Sequence, residues 1–460
     1  MFDKRRWLAA LACFMVINFG ALVQAGEISV RGSESVLAAI DFNPLVLLAS
    51  PDGKRVLGLA QEENKYVVIV DGKKQKKYDQ IISTLTFSPD GRRVAYGARQ
   101  DNRCFVVVDG REGKPYDSIS SVIVFSPDSK RILYSAHNQD RHMVVLDDQE
   151  GKSFDGIGAT LVFSPDGKRT AYGVKRGNKY AVVVDGVEGK WYDAIGSSIV
   201  FSPDSKHIAY WAGSDNKSFL VVDGKEGKPY DLIRPGIVFS PDSNRVAYVA
   251  QKGNEKFVVV DNQEGKSYDD IGLTIVFSPD SKRIAYAAQK GDKKFVVIDG
   301  QEGKAYEGIG SYLFFSPDSQ RVAFTAALKG KRLAVIDGKE TDPYDNMTNL
   351  VFSPDSKRIA YAAELDKKRF VVIQNRKEKQ YDNIVQGSLA FSPDSEHVVY
   401  VAQKDKKQFV VVDTHALNVY DSISLIAQGK IVFDSAENFH HLALKDGKVY
   451  FVDVKISQKK

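Results

Sequence analysis

Cysteine is nearly missing from this chain of 460 residues, which has two, Cys13 and Cys104. Cys13 falls inside an apolar leader, so Cys104 is left without a partner; no internal disulfide is possible, and stability must come from packing. Tryptophan (three), methionine (four) and histidine (seven) are also scarce. No histidine recurs at one position of successive copies of the repeat described below, as a metal site lining a central channel would require, so neither a metal nor a cofactor is expected. Lys and Arg number 64 against 59 Asp and Glu, and the resulting net charge of +5 is too mild to imply a nucleic-acid partner. There is no Gly-x-Ser-x-Gly elbow, no His-Glu-x-x-His pair and no phosphate-cradling Gly-rich loop, so no catalytic residue is assigned. What the chain has in quantity is apolar surface, 43% hydrophobic and 11% aromatic, enough for large cores.

One long apolar run exists, from Trp7 to Val23, preceded by Lys4, Arg5 and Arg6 and ended by Val23-Gln24-Ala25. This pattern predicts a secretory signal peptide at residues 1–25 and a mature chain, 26–460, that is periplasmic or secreted. The alternative is a membrane anchor, against which stand Asn18, Gly20 and a run at the short end for a bilayer span. Cleavage removes three basic residues and Asp3, lowering the net charge from +5 to +3 and leaving no membrane span.

Ten of the 15 prolines stand in one motif, Ser-Pro-Asp, with its serine at Ser50, Ser88, Ser126, Ser164, Ser202, Ser240, Ser278, Ser316, Ser353 and Ser392. The period is 38 residues, with one step of 37 and one of 39, and a weathered eleventh copy follows at Phe433-Asp434-Ser435. A fixed period of this length marks a repeat architecture. In the copy at Ser278, Thr274–Phe277 is a strand and Ser-Pro-Asp-Ser a type I turn. Arg283–Ala288 and Phe295–Ile298 are further strands around a polar loop, and a shorter strand around Tyr306 and Ile309 leads onward. The second and third strands are apolar at consecutive positions, as strands covered on both faces are.

Four-stranded antiparallel sheets stacked around an axis supply that cover, which predicts an all-β fold, a β-propeller of about eleven blades. The last copy lacks its fourth strand, and residues near Val36 to Phe42 are placed to complete it, closing one ring. Two tandem propellers are the alternative.

Phe-Ser-Pro-Asp-Gly/Ser-Lys-Arg-Ile/Val-Ala-Tyr, followed by an apolar strand ending in Asp-Gly, resembles the WD40-like repeat of TolB and of prolyl-oligopeptidase-type propellers. The resemblance covers about residues 36 to 454 and is specific for the blade. It implies a periplasmic protein that docks partners on one face of its ring. The sequence departs from TolB in having only Gly26 to Ser35 where TolB carries an α/β domain.

The recurring carboxylates read as turn and backbone-satisfying groups, because a site needs one unlike constellation whereas a blade needs the same residues each time. One feature rises above the scaffold: fifteen residues after each serine stand Lys65, Arg103, Arg141, Lys179, Lys217, Lys293, Lys331, Lys368 and Lys407, broken only by Glu255. On one rim these would form a basic ring able to recruit an acidic protein surface or an anionic polymer. Trp191 and Trp211, the two tryptophans of the mature chain, are candidate exposed aromatics for binding. The function expected is a non-enzymatic, exported binding or scaffolding module with a protein partner in the cell envelope. The alternative is a propeller lyase or hydrolase acting on a polysaccharide or peptide, its groups scattered over unlike blades.

Overall fold

Each Ser-Pro-Asp turn is closed by its own side chains. In the computed structural model, which describes residues 28–39, 45–423 and 430–458, the Ser278 hydroxyl donates to Asp280 Oδ1 at 2.5 Å and accepts the Arg283 N–H at 2.9 Å. Asp280 Oδ1 also accepts the Lys282 N–H at 3.2 Å. The hydroxyl–carboxylate bond recurs in every copy from Ser50 to Ser392. The fourth turn residue is left-handed, glycine at Gly53, Gly91 and Gly167 and serine in the other seven copies. Serine is strained there, and its hydroxyl compensates by binding the preceding blade: Ser281 Oγ accepts the Asp242 N–H at 2.9 Å.

From these turns run eleven antiparallel sheets. Blade 7 is typical, with Asp270–Phe277 innermost, then Ile284–Lys290, Lys293–Ile298 and the outer Gln301–Glu302. Blades are numbered along the chain, from blade 1 at residues 46–78 to blade 10 at 383–420. Innermost strands of neighbouring blades are hydrogen bonded to one another around the axis, Thr160 to the Ser197 carbonyl and Arg234 to the Ile271 carbonyl. In blades 2 to 10 the inner strand loses its ladder in mid-course, by a register shift such as that between Ile271 and Ile275, or by a break as in blades 2, 6 and 10.

The cores lie between blades. Ala285 and Val296 of blade 7 pack with Phe315, Val322, Phe324 and Val335 of blade 8, which is why the middle strands carry apolar residues on both faces. An arginine bridges most junctions. Arg283 Nε donates to Asp299 at 3.0 Å, its Nη1 reaches the Ser319 and Gln320 carbonyls of the next turn, and its guanidinium lies 5.1 Å from the Phe315 ring.

Two expectations about strands are corrected. Tyr306 and Ile309 do not share a strand: Tyr306 bridges Lys294 at the outer edge of blade 7, whereas Ile309 lies in Gly308–Phe315, the inner strand of blade 8. The Tyr-Glu or Tyr-Asp pair therefore marks the crossing from one blade to the next. The closing strand is Ile28–Ala39, and Ile40 to Phe42 lie outside the described residues. It pairs with Lys448–Gln458 from Ile28↔Gln458 to Ala39↔Lys448 and completes blade 11.

The chain is one ring. Blade 11 meets blade 1 through Ala38, Val56, Leu442 and Val449, and His440 Nε2 lies 2.6 Å from the Asp52 carbonyl. The predicted signal peptide lies outside the described residues. Among the described residues no helix is long and apolar enough to cross a membrane.

Candidate binding face

Hairpin order gives the ring two faces. The Ser-Pro-Asp turns and the Asp-Gly turns lie on one, the turn face. The loops between second and third strands share the other, the crossover face, with the links from blade to blade.

The turn face repeats itself. The serine–aspartate turn and the arginine bridge recur around the ring with the same partners. Grooves of about 280 to 340 Å³ between blades on this side are lined by the same residue types, Arg283 and Asp337 in one, Arg245 and Asp261 in another. Their recurrence makes them products of stacking.

All nine predicted basic residues sit on the crossover face, each opening the third strand of its blade. Seven of the nine are ion-paired. Lys65, Lys179, Lys217, Lys331 and Lys368 pair with Asp79, Asp193, Asp231, Asp345 and Asp382 at 2.5 to 3.2 Å, and Arg103 and Lys407 pair with Asp117 and Asp421. Each acid is the one in the Tyr-Asp pair, fourteen residues on. The acids are also fixed by backbone, as Asp231 accepts the Gly253 N–H at 2.7 Å. Lys217 and that N–H hold the Asp231 carboxyl below its ordinary range. Among the described residues no ion pair reaches Arg141 or Lys293. In blade 7 the matching acid is Glu307, which is taken up by the Lys329 and Gly330 N–H groups.

Inside this rim the blades stop resembling one another. Where the inner, second and third strands come level, blade 2 presents Gln80, Arg99 and Cys104, with Arg99 Nη1 3.2 Å from Gln80 Oε1. Blade 3 presents His137 and His142, and blade 4 Lys175 and Tyr180. Between blades 6 and 7, Arg234 and Lys256 share Asp270 at 2.9 and 3.2 Å. Blade 9 presents Glu364 and Arg369, the latter also bonded to Asn383 of blade 10. Two cavities open here. One, about 290 Å³, is lined by Asn346, Glu364, Arg369 and Asn383; the other, about 310 Å³, lies between blades 4 and 5, lined by Ile157, Val174 and Ile195 with Lys175 and Tyr180 at its edge.

The two tryptophans are not brought together, and neither stands free. Trp191 is half-buried, with the Arg176 guanidinium 4.7 Å from its ring. Trp211 is half-buried and packs on Gly196, where a Cβ would lie 2.2 Å from its Nε1. A sequence reader weighing only near neighbours misses the Lys–Asp pairing; the signal is the constant offset of fourteen. The unlike inner row is visible once the copies are aligned on their serines and the exceptions read.

Fold and face together define the class, a single-ring β-propeller of eleven blades with one repeated and one individual face. No family model matches the chain, and no characterised protein matches it in sequence. Similar solved structures include the β-propeller domain of the trilobed protease from Pyrococcus furiosus, at 15% identity over 57% of this chain and 95% of that one, TM-score 0.30. TolB from Acinetobacter baumannii aligns at 16% over 61% and 82%, TM-score 0.26, and a eukaryotic initiation factor at 14% over 71% and 94%, TM-score 0.40. At such values the likeness carries no function across.

Proposed function

We propose that this protein is a non-enzymatic binding propeller, exported to the periplasm or cell envelope, that docks a protein partner on the inner part of its crossover face. The observation that carries this reading is internal to the chain. Ten copies keep nearly the same residues wherever the ring needs them, and the copies diverge on the one surface where stacking needs nothing in particular. Arg99, Arg234, Lys256, Glu364 and Arg369 give that surface a charge pattern of both signs, suited to a complementary protein surface. Export rests on the leader pattern of Lys4 to Ala25.

A capture experiment from envelope extract with residues 26–460 tests it. The bait is compared with an Arg234→Ala/Arg369→Ala variant of the crossover face and a Lys130→Ala/Lys282→Ala variant of the turn face. A stoichiometric protein lost with the first variant and kept with the second is expected. A partner indifferent to the first variant, or lost only with the second, overturns the assignment of the face.

A further inference from the structure

Four of the seven histidines, His207, His397, His440 and His441, have a ring nitrogen hydrogen bonded within the protein. His137 and His142 are different. They stand directly opposite each other on the second and third strands of blade 3, four residues of hairpin between them, with Asn138↔Arg141 closing the two-residue turn. In such a hairpin the pair next to the turn is hydrogen bonded, so His137↔His142 is a non-hydrogen-bonded pair, the kind that brings side chains closest. The rings are 4.3 Å apart, centroid to centroid, and tilted by 32°. Both are half-buried, and among the described residues neither ring hydrogen bonds to protein.

We infer that His137 and His142 form a two-ligand site for a borderline divalent transition metal, Zn2+, Cu2+ or Ni2+, on the crossover face. Imidazole nitrogen suits these ions, whereas Ca2+ and Mg2+ demand oxygen. Strands on both sides of a tight turn fix the two residues opposite each other before a metal arrives, leaving rotation about χ2 as the adjustment that brings one nitrogen of each ring to the ion. Burial, followed by the neighbouring His137, lowers the His142 pKa, with Asp155 opposing, which is the direction that favours the neutral form a ligand needs. The other charged groups around the pair are Arg141 and Asp140 of the same hairpin and Asp117, whose Oδ2 accepts the Gln139 N–H at 2.6 Å. Water completes the coordination sphere in the free ring. The absence of a histidine slot recurring in successive blades hid this site, because both ligands come from one blade across its own turn.

Untagged 26–460 is titrated calorimetrically with ZnCl2, and separately loaded with one equivalent of CuCl2 for electron paramagnetic resonance. One Zn2+ per ring and a copper spectrum with two nitrogen donors are expected. His137→Gln and His142→Gln should each weaken Zn2+ binding at least about tenfold, the cost that even outer-shell losses reach, and leave one nitrogen on copper. His415→Gln, an exposed histidine elsewhere, should change neither. Circular dichroism melts show whether each variant keeps its ring. Wild-type protein that binds no Zn2+, or folded variants of His137 and His142 that bind it as well as wild type, overturns the inference.

Discussion

His441 shows how one side chain sets a pH limit. It is 1% exposed, its Nε2 has no partner, and its Nδ1 lies 3.4 Å from the Leu442 carbonyl. Burial pushes its pKa down from 6.5 to about 4, so it is neutral in the folded ring. A histidine held neutral has its folded pKa below its unfolded one. The stability it contributes is whole above about pH 6.5 and is lost as pH falls toward 4, by up to about 3 kcal/mol. His441→Phe keeps an aromatic ring for the edge contact with Tyr420, whose ring lies 5.8 Å away, and removes the titration. Urea midpoints at pH 7 and 4.5 should converge for the variant relative to wild type. An unchanged difference between the two pH values would sink this account.

At the scale of elements, the bridge between blades varies in an informative way. Arginine serves in most copies, but His207 and His397 replace it, bonded to Asp223 and Asp413 at 2.6 and 2.9 Å. The Asp413 carboxylate raises the His397 pKa. Its contribution is therefore complete below the unfolded value of 6.5 and fades as pH rises through the folded one, opposite in sign to His441. His397→Arg should remove this alkaline loss, read as a flatter dependence of melting temperature above pH 6.5. In blade 9 the arginine remains but its acid does not: Gln374 stands in the slot, and Arg358 Nη2 is buried without a partner. Gln374→Asp restores both the Arg358 pairing and an acceptor for the Ile359 N–H, as Asp299 supplies for Ile284 at 2.9 Å. A gain of about 1 kcal/mol in chemical unfolding is expected, and a loss would show that the slot cannot take charge.

The same contrast explains how much was legible in the sequence. Turns, middle strands and blade number could be read because Pro, Asp and the apolar runs act within a few residues of one another, and ten copies say the same thing. The outer strand was misplaced because Tyr306 and Ile309, three residues apart, serve different blades, and only the three-dimensional crossing separates them. The Lys–Asp pairing was not legible because Lys217 of a third strand and Asp231 of the crossing to the next blade are fourteen residues apart in the chain. The inner row was least legible, since residues such as Arg234 and Asp270 meet across blades, 36 positions apart.

The whole molecule has one covalent gap, and the closing strand spans it. Glu34 shows how faithfully that strand fills the vacant position: it accepts the Tyr420 hydroxyl at 2.7 Å, as Glu302 accepts that of Tyr268 at 3.2 Å within the continuous chain. Every other junction is backed by a peptide link from outer to inner strand. The last depends on strand pairing, on the small cluster around Ala38 and Leu442, and on the bonds of His440 and Lys430 to blade 1. Opening there would bare the edge of Lys448–Gln458 to other chains. Ser33 and Asp453 are exposed and directly opposite across this pairing, at a separation an antiparallel ladder sets within disulfide reach. Ser33→Cys/Asp453→Cys should oxidise readily, with buried Cys104 remaining outside the exchange. Because the cross-link closes almost the entire chain, the oxidised ring should be more stable than the reduced one by about 2–4 kcal/mol and slower to aggregate on heating. Equal unfolding midpoints and aggregation rates for the two forms would place the weakest junction elsewhere, with blade 9 and its unpaired Arg358 the next to be cross-linked.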